Sequence, residues 1–171
     1  MRPDEADHAA YVGDWLDRAA PNPEDLPPDQ LVSLFERATE ALWRRAQVTL
    51  GEVTLAAIVD RVLYTASERY SLLSTLKIEK TGVCFDRFRE QETAQRDGDL
   101  VRALCFILVE FLTAVGNLTD EILTQALYAA LARVTLEEPA STAAEDRGDK
   151  GADRDKKRQD LTHRNGRPQP R

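Results

Sequence analysis

Residues 100–115 read LVRALCFILVEFLTAV, and the fold turns on this stretch. Wound as a helix, Leu100, Val101, Leu104, Cys105, Phe106, Ile107, Leu108, Val109, Phe111, Leu112 and Val115 cover nearly the whole circumference. Only Arg102, Glu110 and Thr113 leave a narrow polar stripe. A helix that is apolar all round is buried all round. It carries two charges and is shorter than the ~20 apolar residues that a bilayer requires. Two readings follow: the central helix of a bundle, or a helix shared with a second subunit.

The neighbouring segments are patterned to surround it. Downstream, Gly116-Asn117-Leu118 closes the helix, and Asn117 or Thr119 caps the next, with Asp120 and Glu121 in its first turn. Ile122, Leu123, Ala126, Leu127, Ala130, Leu131 and Val134 then share a face, and the short connection makes the two helices antiparallel neighbours. Upstream, a helix from Pro28 or Asp29 presents Leu31, Leu34, Phe35, Ala38, Leu42 and Ala46 at helical spacing. The next starts at Thr49-Leu-Gly-Glu52, which matches a capping box, and presents Leu55, Ile58, Val59, Val62, Leu63 and Ala66. Residues 72–95 admit two readings. One is a hairpin, with Leu72, Leu76 and Ile78 facing Val83 and Phe85; the other, which we favour, is a connection plus a short helix over 84–95.

Proline divides the chain. All eight prolines lie at positions 3, 21, 23, 27, 28, 139, 168 and 170. Proline inside a helix costs about 3 kcal/mol, so the proline-free run reads as one folded unit. Residues 1–27 are expected to be an N-terminal appendage, a short helix and a proline-rich linker; 28–138 a helical bundle domain; 139–171 a disordered charged tail. The segment from Glu137 onward holds a single large aliphatic residue, Leu161. From Lys150 to the end, eight bases outnumber three acids by five, so the formal −7 of the whole chain leaves −12 on residues 1–149. The expected fold class is all-α: four main helices, a short helix or hairpin, and a disordered tail.

Composition removes many chemistries. An acidic body argues against a general nucleic-acid binder, though weak contact through the basic tail stays open. Two cysteines exclude a disulfide scaffold, and two histidines exclude a Cys/His zinc module. The four glycines of the body lie too far apart for a phosphate-cradling loop. Asp97-Gly-Asp99 lacks the remainder of a calcium loop. His8 and His163 both fall in segments expected to be loosely ordered, which would leave the body without histidine and without a histidine-based catalytic pair. The polar, acidic start MRPDEADHAA has no signal-peptide pattern, and the expected location is cytoplasmic.

The resulting expectation is a non-catalytic helical protein-interaction module, a dimeric regulatory or signalling adaptor with no cofactor and no membrane contact. The basic pairs Arg44-Arg45 and Arg87/Arg89 are its candidate partner-docking residues, with a solvated helix face as the plainer reading. Phe106, Val109, Ala129 and Ala132 are the candidate dimer interface. Cys84, beside Phe85 and Arg87, is the cysteine more open to reaction. An acidic helical chaperone for a client protein is the alternative. Less favoured is an enzyme built only from carboxylate, Arg and Tyr groups such as Glu110, Asp60, Arg61, Tyr64 and Tyr128.

Overall fold

Pro27 and Pro28 set where the first long helix begins. Pro28 occupies the first turn, where its missing N–H has no partner to lose, and the Pro27 carbonyl receives the Leu31 amide at 3.1 Å. The computed structural model describes residues 3–79, 82–91 and 99–136. Their helices are α1 (Pro3–Ala19), α2 (Pro28–Leu50), α3 (Glu52–Arg69), α4 (Asp86–Gln91), α5 (Asp99–Thr119) and α6 (Thr124–Leu131). Strands β1 (Lys77–Glu79) and β2 (Gly82–Cys84) form a small hairpin. The fold is all-α. The expected tail, 139–171, and positions 92–95 of the expected short helix lie outside the described residues.

Helix α5 is central. Leu100, Ala103, Leu104, Ile107, Leu108, Val109, Phe111, Leu112 and Val115 are buried, and α1, α2, α3 and α6 all pack on it. Of the two readings of this helix, cover by its own chain is the one observed. No described helix is long and apolar enough to cross a membrane.

The N-terminal helix corrects the appendage reading. Val12, Trp15, Leu16 and Ala19 are buried, and α1 lies along α5 within one compact unit, Met1–Glu138. The Trp15 ring meets Phe35 edge-on at 5.6 Å, and its indole N–H donates to the Val134 carbonyl at 3.1 Å. The proline-rich linker does not separate α1 from the body. It is short, and a 3-10 turn at Pro23–Asp25, entered through Asn22 at φ 63°, leads the chain into α2.

The α2–α3 junction corrects the capping box. Helix α2 continues through Thr49 to Leu50, and α3 starts at Glu52 with no side-chain cap. Gly51 serves both ends: its N–H bonds the Gln47 carbonyl at 2.9 Å, and its own carbonyl accepts the Leu55 amide at 3.1 Å. It does so at φ 78°, ψ 160°, a region essentially confined to glycine.

Residues 71–91 combine both readings of that region. A 3-10 turn at Ser71–Thr75 leads into an antiparallel hairpin, with Ile78 opposite Val83, and then into α4. So short a hairpin needs a platform. It has one in α2 and α3, where Gly82 lies against the Trp43 indole and Leu76 and Phe85, which flank the hairpin's open end, are buried. The Arg89–Glu36 ion pair fastens α4 to α2.

The α5–α6 connection differs from the expected cap. Helix α5 runs past Gly116 to Thr119, whose hydroxyl bonds back to the Val115 carbonyl at 2.8 Å. The Glu121 amide then bonds the Gly116 carbonyl at 2.9 Å, with Asp120 and Glu121 both left-handed, φ 49° and 61°. This is a Schellman-type ending, which satisfies a terminal carbonyl that the helix leaves unpaired. Ile122, expected in the core, is 79% exposed.

Gly51→Ala is expected to lower stability by about 1–3 kcal/mol through backbone strain alone, since nothing lies within 4 Å of its added Cβ. Gly13→Ala, in open space on the exposed face of α1, is expected to raise stability by about 0.5–1 kcal/mol. Urea unfolding of both variants checks the opposite signs.

Candidate functional site

A polar group inside an apolar body must find partners or lose free energy. His8 is such a group. It sits on α1 at 2% exposure, where the sequence reading expected loose chain and a body free of histidine. That expectation is overturned. The stripe that buries Val12, Trp15 and Ala19 continues back one turn to His8. The signal was present in the spacing and was masked by residue type.

Its partners come from α6 and the α5–α6 turn. His8 Nδ1 lies 2.7 Å from the Tyr128 hydroxyl, with the two rings edge to face. Tyr11, three residues on along α1, stacks flat on Tyr128 at 3.7 Å and donates its hydroxyl to the Tyr128 carbonyl at 2.8 Å. Burial raises the pKa of the Tyr128 hydroxyl, and the charge of Glu121 raises it further, so the hydroxyl keeps its proton. His8 Nε2 is buried without a hydrogen-bond partner, 4.0 Å from Glu121 Oε1. The arrangement that suits both nitrogens has Tyr128 donating to Nδ1 and the ring proton on Nε2, pointed toward the carboxylate.

Glu121 is held from three sides. His8 faces it from α1, and the Thr124 hydroxyl at the start of α6 donates to it. Gly116 on α5 leaves the space it fills: a Cβ there would stand 2.5 Å from Glu121 Oε1. His8, Tyr128 and Glu121 are residue types used in acid–base chemistry. In this conformation the imidazole is enclosed, and what the cluster does is bind α1 to the end of the bundle.

The residues singled out from the sequence are dispersed. Arg44 is exposed and pairs with Glu40 along α2, and Arg89 pairs with Glu36 across to α2. Arg45 is half-buried and Arg87 exposed. Val109 is buried by its own chain, while Phe106 is half-buried against Tyr70 at 5.7 Å, with the Arg69 guanidinium 4.9 Å over its ring. Ala129 and Ala132 are exposed. Asp60, Arg61 and Tyr64 lie exposed on α3, and Tyr64 takes a hydrogen bond with Glu68 that raises its pKa. Glu110, on α5, has its carboxyl raised by burial and then by Glu5, with Arg69 opposing. Tyr128 is committed to His8. These five candidate enzyme residues are spread over three helices and are not brought together. Among the described residues, no group of three or more His, Cys, Asp or Glu is placed to hold a metal ion.

Both cysteines are free. Burial, reinforced by the charge of Asp17, pushes the Cys105 thiol up to about 12. At Cys84 the Asp86 backbone hydrogen bond lowers the pKa, but desolvation and the charges of Asp86 and Glu79 outweigh it and the net shift is upward. Comparison with known proteins assigns no family: no family model, no curated protein sequence and no solved structure matches the chain.

Tyr128→Phe strips His8 Nδ1 of its partner and is expected to cost about 1–3 kcal/mol. Tyr11→Phe is expected to cost about 1 kcal/mol or less, because the Tyr128 carbonyl keeps the Ala132 amide at 2.9 Å. Thermal unfolding of the two variants checks the order. In the native protein at pH 8, iodoacetamide is expected to modify Cys84 at least ~100-fold faster than Cys105, since only the thiolate reacts. Peptide mass spectrometry reads the two sites separately.

Proposed function

We propose that this chain is a non-catalytic helical protein-interaction module, a regulatory or signalling adaptor that engages its partner through apolar side chains displayed at two interhelical turns. One observation carries the reading. Among the described residues five large apolar side chains are strongly exposed, and four of them flank the two turns. Val48 and Val53, at 80% and 85% exposure, stand on either side of Gly51; Leu118 and Ile122, at 56% and 79%, stand on either side of Asp120. Each such side chain that a partner covers fully contributes roughly 1.5–3 kcal/mol.

The same burial bears on the partner. A dimer was expected because an all-round apolar helix needs cover, and its own chain supplies that cover. The adaptor reading therefore rests on the turns instead of on α5. Arg45 and Arg87 remain candidates for steering an acidic partner, a role that would act on association rate and salt dependence.

The test is affinity isolation from cells that make the chain, run in parallel for the wild type, Val48→Ser/Val53→Ser and Leu118→Ser/Ile122→Ser. The expected result is a bound protein that is lost with one double variant while the melting temperature stays unchanged. Recovery of the same proteins with all three chains would overturn the proposal. Light scattering on the isolated chain reports whether the partner is a second copy.

A further inference from the structure

Leu118 and Ile122 are displayed by a turn that its own sequence does not favour. Asp120 and Glu121 are consecutive residues with side chains in the left-handed region, φ 49° and 61°, a conformation that glycine adopts more readily. Such a turn persists when its surroundings over-determine it. Here the surroundings converge on one carboxylate. Glu121 receives the Thr124 hydroxyl from α6 and sits in the space left by Gly116 on α5. It faces His8 Nε2, a buried nitrogen with no hydrogen-bond partner, at 4.0 Å from α1.

We infer that His8 and Glu121 form a clasp by which α1 holds the α5–α6 turn in the conformation that keeps Leu118 and Ile122 in water. The long reach of the contact is what makes it a device. His8 and Glu121 are far apart in sequence, and Tyr128 ties the same imidazole to α6 at 2.7 Å. Docking of the N-terminal helix therefore controls the shape of a turn more than a hundred residues further along the chain. A partner that levers α1 off α5 would free Glu121, relax Asp120 and Glu121 toward right-handed angles, and change how Leu118 and Ile122 are presented. In this way the inference rests on the adaptor reading and adds its regulation.

Hydrogen exchange measured by mass spectrometry tests it without any partner, so its failure is distinct from failure of the interaction proposal. Glu121→Ala is expected to speed exchange of the amides of 119–124 at least tenfold, with α2 and α3 unchanged. Glu121→Gln, whose amide oxygen can still accept from Thr124 and fill the same space beside Gly116 and His8, is expected to restore most of the protection. His8→Phe, which keeps an aromatic ring in place but removes both nitrogens, is expected to loosen the same turn as much as Glu121→Ala does. Unchanged exchange at 119–124 in His8→Phe would overturn the inference, and so would a rise of equal size in α2 and α3.

Discussion

Covering the apolar girth of α5, all but the strip of Arg102, Phe106 and Glu110, is the constraint that the rest of the structure meets. An exposed Leu or Phe side chain forgoes roughly 1.5–3 kcal/mol of burial, and α5 carries such residues around its whole girth. A single neighbour covers one stripe, so four helices are recruited: α1, α2, α3 and α6. This explains why an N-terminal segment ahead of a proline-rich linker is drawn into the body. Without α1 the face of α5 that it covers would stand open to water.

Recruiting α1 brings a polar residue inside with it. His8 is buried because it lies on the stripe of Val12, Trp15 and Ala19, and its burial demands partners. Tyr128 supplies one, and Glu121 offers a carboxylate to the second nitrogen. A turn with two left-handed residues and a glycine cut to fit one carboxylate is arranged around that demand. Apolar burial thus sets which elements meet, and the polar cluster sets the register at which α1 and α6 meet.

The parts legible in the sequence are those governed by local rules. Pro28 at the start of α2, the faces of α2 and α3, and the all-round character of α5 follow from proline chemistry and 3.6-residue periodicity. The misreadings share a cause. Thr49 and Glu52 have the spacing of a capping box, yet α2 runs on through Thr49 because the turn is made by Gly51 alone. Thr119 has the chemistry of a cap, yet its hydroxyl bonds back within α5. In each case a nearby backbone arrangement displaced a favourable side-chain motif. The hairpin at 77–84 is stable only where α2 and α3 support it, and no local pattern reports that support.

Of the candidate site, the chemistry-bearing residues could be read and their meeting could not. Tyr128 meets His8 and not Glu110 or the α3 residues, and His8 lies in a segment whose order depends on docking against α5. The sequence by itself determined that the fold is all-α, that residues 100–115 form a helix apolar nearly all round, and that the body is acidic, because periodicity and charge are properties of residue order. Only the tertiary structure decided that α5 is covered by its own chain, that α1 belongs to the core, and that His8, Tyr128 and Glu121 face one another. Contacts between residues more than a hundred positions apart depend on which packing of several amphipathic helices buries the most surface with every polar group answered. No single helix contains that information.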